Sequence, residues 1–199
     1  MVQRLLLAND LPGVGKVALA TSIPIAAACQ VETILLPTVL LSSHTGGFPD
    51  VVVEDMTDLN RAYFEQWKNL NLELAGILSG YCRNPQQLSQ LAMYAKQTET
   101  PLIVDPVMGD GGKLYTGFTP MSKKYPANFF GTGDILSTLL AVATIQQINL
   151  HQAIPLALDF IDKSLERTLA LDRDLKFGIS FEPFLAELQQ AFQTLKEKL

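Results

Sequence analysis

The stretch LAGILSGYCRNPQQLSQLAMYAKQTETPLIVDP, residues 74–106, decides the architecture. LAGILSGY (74–81) is a short apolar run bounded by turn residues, which predicts a buried strand. Asn84 followed by Pro85 is a helix start: an N-cap side chain, then proline at the first helical position, where its missing N–H is harmless. The helix this opens runs through NPQQLSQLAMYAKQT. PLIVDP (101–106) is a second apolar run, and it ends on a carboxylate. A strand, a helix and a strand in this order form one crossover unit, which implies parallel strands.

Working outward, the same alternation holds upstream. RLLLA (4–8) is a buried strand meeting the polar pair Asn9 and Asp10. GVGKVALATSIPIAAACQ (13–30) reads as a helix, with Pro24 a kink or break. VETILLPTVLL (31–41) is β-branched and apolar, hence a second strand. SSHTGG is a loop and FPDVVVED (48–55) offers a short strand, so this part is hairpin-like. DLNRAYFEQWKNL (58–70) is helical, with Asp55, Thr57 or Asp58 as caps. Downstream the texture changes to helices alone, over 132–147, 151–170 and 181–198, with FGISFEP as a turn or short strand. The expected fold is therefore α/β, a mainly parallel sheet with helices on both faces. Ligands of such sheets bind beyond the carboxyl ends of the strands. Asn9, Asp10, Thr45, Tyr81, Asp105 and Asp110 all fall at or just after such ends.

Composition narrows the function classes. The chain has 199 residues, 48% hydrophobic and 18% charged, enough for one sizeable core. Fifteen Lys and Arg against 20 Asp and Glu give a net charge of −5, with no basic stripe for nucleic acid. No apolar stretch reaches the roughly 18 residues that span a bilayer. Cys29 and Cys82 lack metal spacing and read as small hydrophobes. A reducing, cytoplasmic setting is expected.

Three motifs carry chemistry. GVGK fails as a Walker loop, because Asp10 stands where its first glycine belongs and Val17 follows the lysine. GTGD (131–134) joins two glycines to the start of an apolar helix. Free N–H groups there favour an anion. Asp134, in the first turn, is placed to take a proton from an attacking hydroxyl; it reads equally as a stabiliser of the helix start. Asp105 and Asp110 in DPVMGD suit a hydrated Mg²⁺ on phosphates, or cap turns at Pro106 and Gly109. Ser43, His44 and Thr45 offer hydrogen bonds to a polar ring or sugar, and a lone loop histidine such as His44 is more often structural. Tyr81 suits a flat ring or the core.

Taken together, NDLPGVGKVALA, LLPTVLLSSHTGGFPD, SGYCRNPQQ, DPVMGDGGKLYTGFTP and KKYPANFFGTGDI resemble the bacterial pyridoxal/pyridoxamine kinases of the ribokinase-like superfamily. The resemblance implies a three-layer fold with a central, mainly parallel sheet. It implies transfer of the ATP γ-phosphate to the 5′-hydroxyl of a vitamin B6 vitamer, with Mg²⁺, and leaves open a monovalent cation such as K⁺. It further implies a homodimer with no nucleic-acid or membrane partner. By motif, Asp134 corresponds to the catalytic base and Gly131, Thr132 and Gly133 to the anion hole. Asp105 and Asp110 match the positions near metal and phosphates, with Phe130 on the same nucleotide side. Thr45 and Tyr81 match ring contacts, Ser43 less securely, and Asn9 or Asp10 lies near the first substrate contact. A hydroxymethylpyrimidine kinase of the same superfamily, or a non-catalytic relative that holds a vitamer or a partner, are the alternatives.

The departure from the family lies at the junction. After LYTGFTP, Met121 leads straight into Ser122 and Lys123, where family members carry further strands and much of the nucleotide pocket. Residues 1–199 are thus expected to form one ribokinase-like domain with an apparent internal deletion near 120–123, lacking part of the nucleotide-binding half. The alternative is that residues of a longer protein are omitted there. Ten residues reach about 35 Å at most, so the segment 120–130 can close such a gap.

Overall fold

The computed structural model describes residues 3–70, 72–105, 109–110, 113–114, 125 and 127–197. Five strands make the central sheet: β1 Arg4–Pro12, β2 Glu32–Leu41, β3 Val53–Asp55, β4 Gly76–Ser79 and β5 Leu102–Val104, in the order β3-β2-β1-β4-β5. β1 is parallel to β2 and β4, and β4 is parallel to β5. Only β3 runs antiparallel, folded back on β2 as the hairpin-like reading requires. A two-residue ladder, β6 Gly109–Asp110 with β7 Lys113–Leu114, follows β5.

Because successive side chains of a strand point to opposite faces, β1 feeds two cores at once. Leu5 and Leu7 enter a cluster with Leu19 and Ile25 of α1 (Ala18–Ala28) and Ile135 and Leu139 of α4 (Thr132–Ile145). Leu6 and Ala8 enter the other, with Leu36, Ile77, Phe64 of α2 (Thr57–Trp67) and Leu91 and Tyr94 of α3 (Pro85–Gln97). The first cluster also receives Phe160 and Leu165 of α5 (Leu150–Ala170) and Leu188 and Phe192 of α6 (Leu185–Lys196). The sheet is thus covered on both sides, as near-continuous apolar strands demand. Asn84 caps α3 as expected, accepting the Gln87 N–H at 3.0 Å, with Pro85 next.

Several boundaries differ from the sequence reading. β1 continues to Pro12, because the long β2 still offers partners: Leu11 pairs with Leu40 and Pro12 with Leu41, after a register shift past Asn9. The helix expected from residue 13 starts only at Ala18. Gly13 donates to Leu41, and Lys16 donates to Phe177 and bridges Gly178, so residues 13–15 form a bend and Lys16 and Val17 are drawn out of the helix. Pro24 sits inside α1 without ending it. FGISFEP makes that single bridge and a 3-10 turn, Glu182–Phe184, before α6. The junction at 120–123 lies outside the described residues. Among the described residues, no helix is long and apolar enough to cross a membrane.

Candidate active site

The carboxyl ends of β1, β4 and β5 meet the start of α4. α4 begins after Gly131, whose φ of +93° is the left-handed region that favours glycine. A Cβ there would lie 2.4 Å from the Lys16 carbonyl oxygen, so the turn tolerates only hydrogen. Gly131, its N-cap residue, supplies no side-chain cap. The first N–H groups of α4, with the positive end of the helix dipole, are thus left without an N-cap side chain. Beside them Gly133 is bare: a Cβ on it would meet nothing within 4 Å.

Asp134 stands in this first turn. Asn9 of β1 donates its side-chain amide to the carboxylate at 3.2 Å. The N–H groups of Ala18 and of Asp134 itself also reach it. Burial nevertheless dominates and pushes its pKa above the ordinary carboxylate range. Two more carboxylates feel its charge. Burial first, and then the charge of Asp134, push Asp10 up to about 6. Asp105, at the end of β5, is raised for the same two reasons, while the Ser137 hydroxyl hydrogen-bonds and partly offsets the rise. Ser137 follows Asp134 by three residues, so both share one face of α4.

Asn9 is turned inward rather than toward a ligand. Its Oδ1 accepts the N–H of Asp10 at 3.0 Å and of Tyr81 at 2.8 Å, while its amide holds Asp134. A Cβ on Gly80 would fall 2.3 Å from this amide nitrogen, which is why a glycine follows β4. Tyr81 is thereby brought to the cluster, as a residue 49% exposed.

The SSHTGG loop is anchored by His44. Its ring is buried, tilted at 49° against the Phe130 ring with centroids 4.8 Å apart, and edge-on to Phe48. Nδ1 accepts the Gly46 N–H at 3.0 Å, so Nε2 carries the proton that reaches the Lys176 carbonyl at 2.5 Å. Both ring nitrogens are thus occupied inside the protein, in keeping with a structural histidine. Gly46 packs under Phe130, leaving no room for a Cβ. Phe130 therefore seats the loop carrying Ser43 and Thr45 against the start of α4. Ser43 is buried and Thr45 exposed.

The structure brings Asn9, Asp10, Tyr81, Asp105 and Asp134 together, and packs His44 and Gly46 of the 43–46 loop against Phe130, which Gly131 and Thr132 follow in the chain. The Asp110 side chain lies outside the described residues. Sequence reasoning missed Ser137, although its i+3 spacing from Asp134 was the signal. It also gave Lys16 no role; its ammonium pairs with Glu182 and lies 5.6 Å from the Phe181 ring, tying residues 13–17 to the C-terminal segment.

No group of three or more His, Cys, Asp or Glu side chains among the described residues is arranged to hold a metal ion by itself. Mg²⁺ does not need one, since it keeps several waters and is usually held by one or two carboxylates and substrate phosphates. Asp105, a hard oxygen donor strained by a neighbouring negative charge, fits that chemistry.

No protein-family model and no curated protein matches the chain. Solved structures do. A candidate phosphomethylpyrimidine kinase from Bacteroides thetaiotaomicron, in a crystal form with pyridoxal, aligns with a TM-score of 0.84 at 22% identity, over 94% of this chain and 96% of that one. Pyridoxal kinase from Lactobacillus plantarum aligns with a TM-score of 0.83 at 22% identity, over 100% and 99%. Pyridoxal kinase from Leishmania donovani, in complex with ADP and pyridoxamine, gives 0.76 at 13% identity, over 94% and 96%. The α/β fold of this chain, with its mostly parallel five-stranded sheet, is therefore the fold of the solved pyridoxal kinases.

Proposed function

We propose that this site transfers the γ-phosphate of ATP to the 5′-hydroxyl of pyridoxal, pyridoxamine or pyridoxine. One observation carries the reading: a carboxylate with a raised pKa, Asp134, stands in the first turn of a helix whose N-cap residue, Gly131, supplies no side-chain cap. A base poised nearer neutrality accepts a hydroxyl proton more readily than an ordinary carboxylate. The acceptor hydroxyl loses its proton to Asp134 as its oxygen bonds to the γ-phosphorus and the bond to the β-phosphate oxygen breaks. The uncapped N–H groups of Gly131–Gly133 offset charge on the transferred group. Asn9 and the Ala18 N–H fix the carboxylate, so no reorganisation is needed during transfer. Asp105, with Asp110, would hold Mg²⁺, which when bound neutralises phosphate charge. Tyr81 and Thr45 flank the vitamer ring.

The substrate ring is tested by comparing Mg-ATP-dependent turnover on pyridoxal and on hydroxymethylpyrimidine. Faster turnover on pyridoxal supports the reading; faster turnover on the pyrimidine replaces it. A second reading rests on the short passage from Pro120 to Ser122: a relative that holds a vitamer without phosphorylating it. Calorimetric titration with ATP separates the two. Vitamer binding without ATP binding establishes the second. Homodimer assembly, which the resemblance implies, is checked by light scattering.

A further inference from the structure

A second buried polar network meets the carboxylate cluster only at Asn9 and Tyr81. Thr38 of β2 is 1% exposed and Gln87 of α3 is 3% exposed. A glutamine buried this deeply costs stability unless both ends of its amide are paired. Both are: Nε2 donates to the Thr38 carbonyl at 2.7 Å, and Oε1 accepts the Arg83 N–H at 2.8 Å. The Thr38 hydroxyl in turn donates to the Tyr81 carbonyl at 2.7 Å. From the opposite side, Asn9 accepts the Tyr81 N–H. The Tyr81 backbone is thus gripped at both its N–H and its C=O by buried side chains of two different strands. The residue as a whole stays half exposed. Asn84 completes the fastening, with its amide 2.8 Å from the Thr57 hydroxyl. A solvent loop needs no such grip on its backbone, whereas a ring that must meet a flat ligand gains from being held in place beforehand.

We propose that Thr38 and Gln87 are positioning residues that hold the 80–84 loop so that the Tyr81 ring is preset against a planar ligand, and thereby help to select it. The inference rests on the vitamer reading above. Replacing Thr38 by valine removes one buried hydrogen bond to the Tyr81 carbonyl. The expected result is pyridoxal affinity weaker by about fivefold to tenfold. The loss falls on KM rather than on kcat, because Thr38 touches no reacting atom. Thr38→Ser keeps the hydroxyl and restores affinity. In a Tyr81→Ala background, Thr38→Val has no further effect on affinity, since the group it positions is gone.

The test is a fluorescence titration of pyridoxal against the wild-type chain and these variants, with thermal unfolding alongside. Absence of pyridoxal binding by the wild-type chain overturns the vitamer reading and this inference with it. Unchanged affinity in Tyr81→Ala overturns the ring contact, and so the inference, while leaving the phosphoryl-transfer site standing. Weaker binding in Tyr81→Ala combined with unchanged, unrescued or fully additive behaviour of Thr38→Val overturns the inference alone. Should Thr38→Val fail to fold, Gln87→Met tests the same coupling from α3, and the same absence of coupling to Tyr81→Ala refutes it.

Discussion

Replacing Asp10 by asparagine should stabilise the protein near neutral pH and leave it unchanged in acid. Burial and the Asp134 charge push the Asp10 carboxyl from 3.8 up to about 6. The folded pKa therefore lies above the unfolded one. Between these values the folded chain binds a proton that the unfolded chain lacks, so this contribution favours folding below about pH 4 and is lost as pH rises through about 6. A shift of roughly two units corresponds to about 3 kcal/mol at most. The carboxyl is partly exposed and coupled to Asp134, so solvent screening brings this to about 1–2 kcal/mol. Asparagine has the same shape and no charge. At pH 7.5, without Mg²⁺ or nucleotide, Asp10→Asn should raise Tm by roughly 3–6 °C. At pH 4 the two proteins should melt together. Thermal unfolding followed by circular dichroism at both pH values is the assay. An equal gain at both pH values, or a loss at pH 7.5, refutes the electrostatic reasoning.

Other substitutions probe the helix start and the core. Gly133→Ala should stabilise α4 by about 0.5–1 kcal/mol, as alanine in place of glycine does in helices. Its methyl group fills the open space beside the N–H groups, so phosphate transfer should fall by about 100-fold, on the scale of one lost anion-hole donor. A melting curve and a turnover assay on the same sample read both effects. Gly131→Ala should do the opposite to stability, costing at least about 1–2 kcal/mol for the left-handed backbone, because the added Cβ also meets the Lys16 carbonyl; urea unfolding measures it. Leu139, fully buried between α4 and the sheet, should cost about 2–5 kcal/mol when cut to alanine, again by urea unfolding, with pyridoxal affinity unchanged below the transition.

What could be read from sequence was what depends on near neighbours. Asn84 and Pro85 mark a helix start because capping is decided within four residues, and the apolar runs of β1, β2 and β4 mark buried strands for the same reason. Asp134 could be set at the first turn of a helix because GTGD precedes a mostly apolar run. The rest depends on which strands adjoin. Asn9 turns inward because β1 lies beside β4, bringing the Tyr81 N–H within 2.8 Å, and no local pattern encodes that. Residues 13–17 look helical in isolation, and Gly178, more than 150 positions later, draws Lys16 into an extended bridge. Thr38 and Gln87 read as ordinary strand and helix residues, and only their packing against the 80–84 loop gives them a task.

The most direct test of the Asp134 assignment is phosphate transfer from Mg-ATP to pyridoxal, followed by mass spectrometry, for the wild-type chain and Asp134→Asn. The account predicts a phosphorylated vitamer from the wild-type chain. It predicts a loss of about 10²–10⁴-fold in the variant, the range for removing a general base, with pyridoxal affinity within about threefold of wild type, since that carboxylate serves transfer more than binding. Equal turnover in the two proteins contradicts it, as does a wild-type chain that binds both ATP and pyridoxal and yields no phosphorylated product.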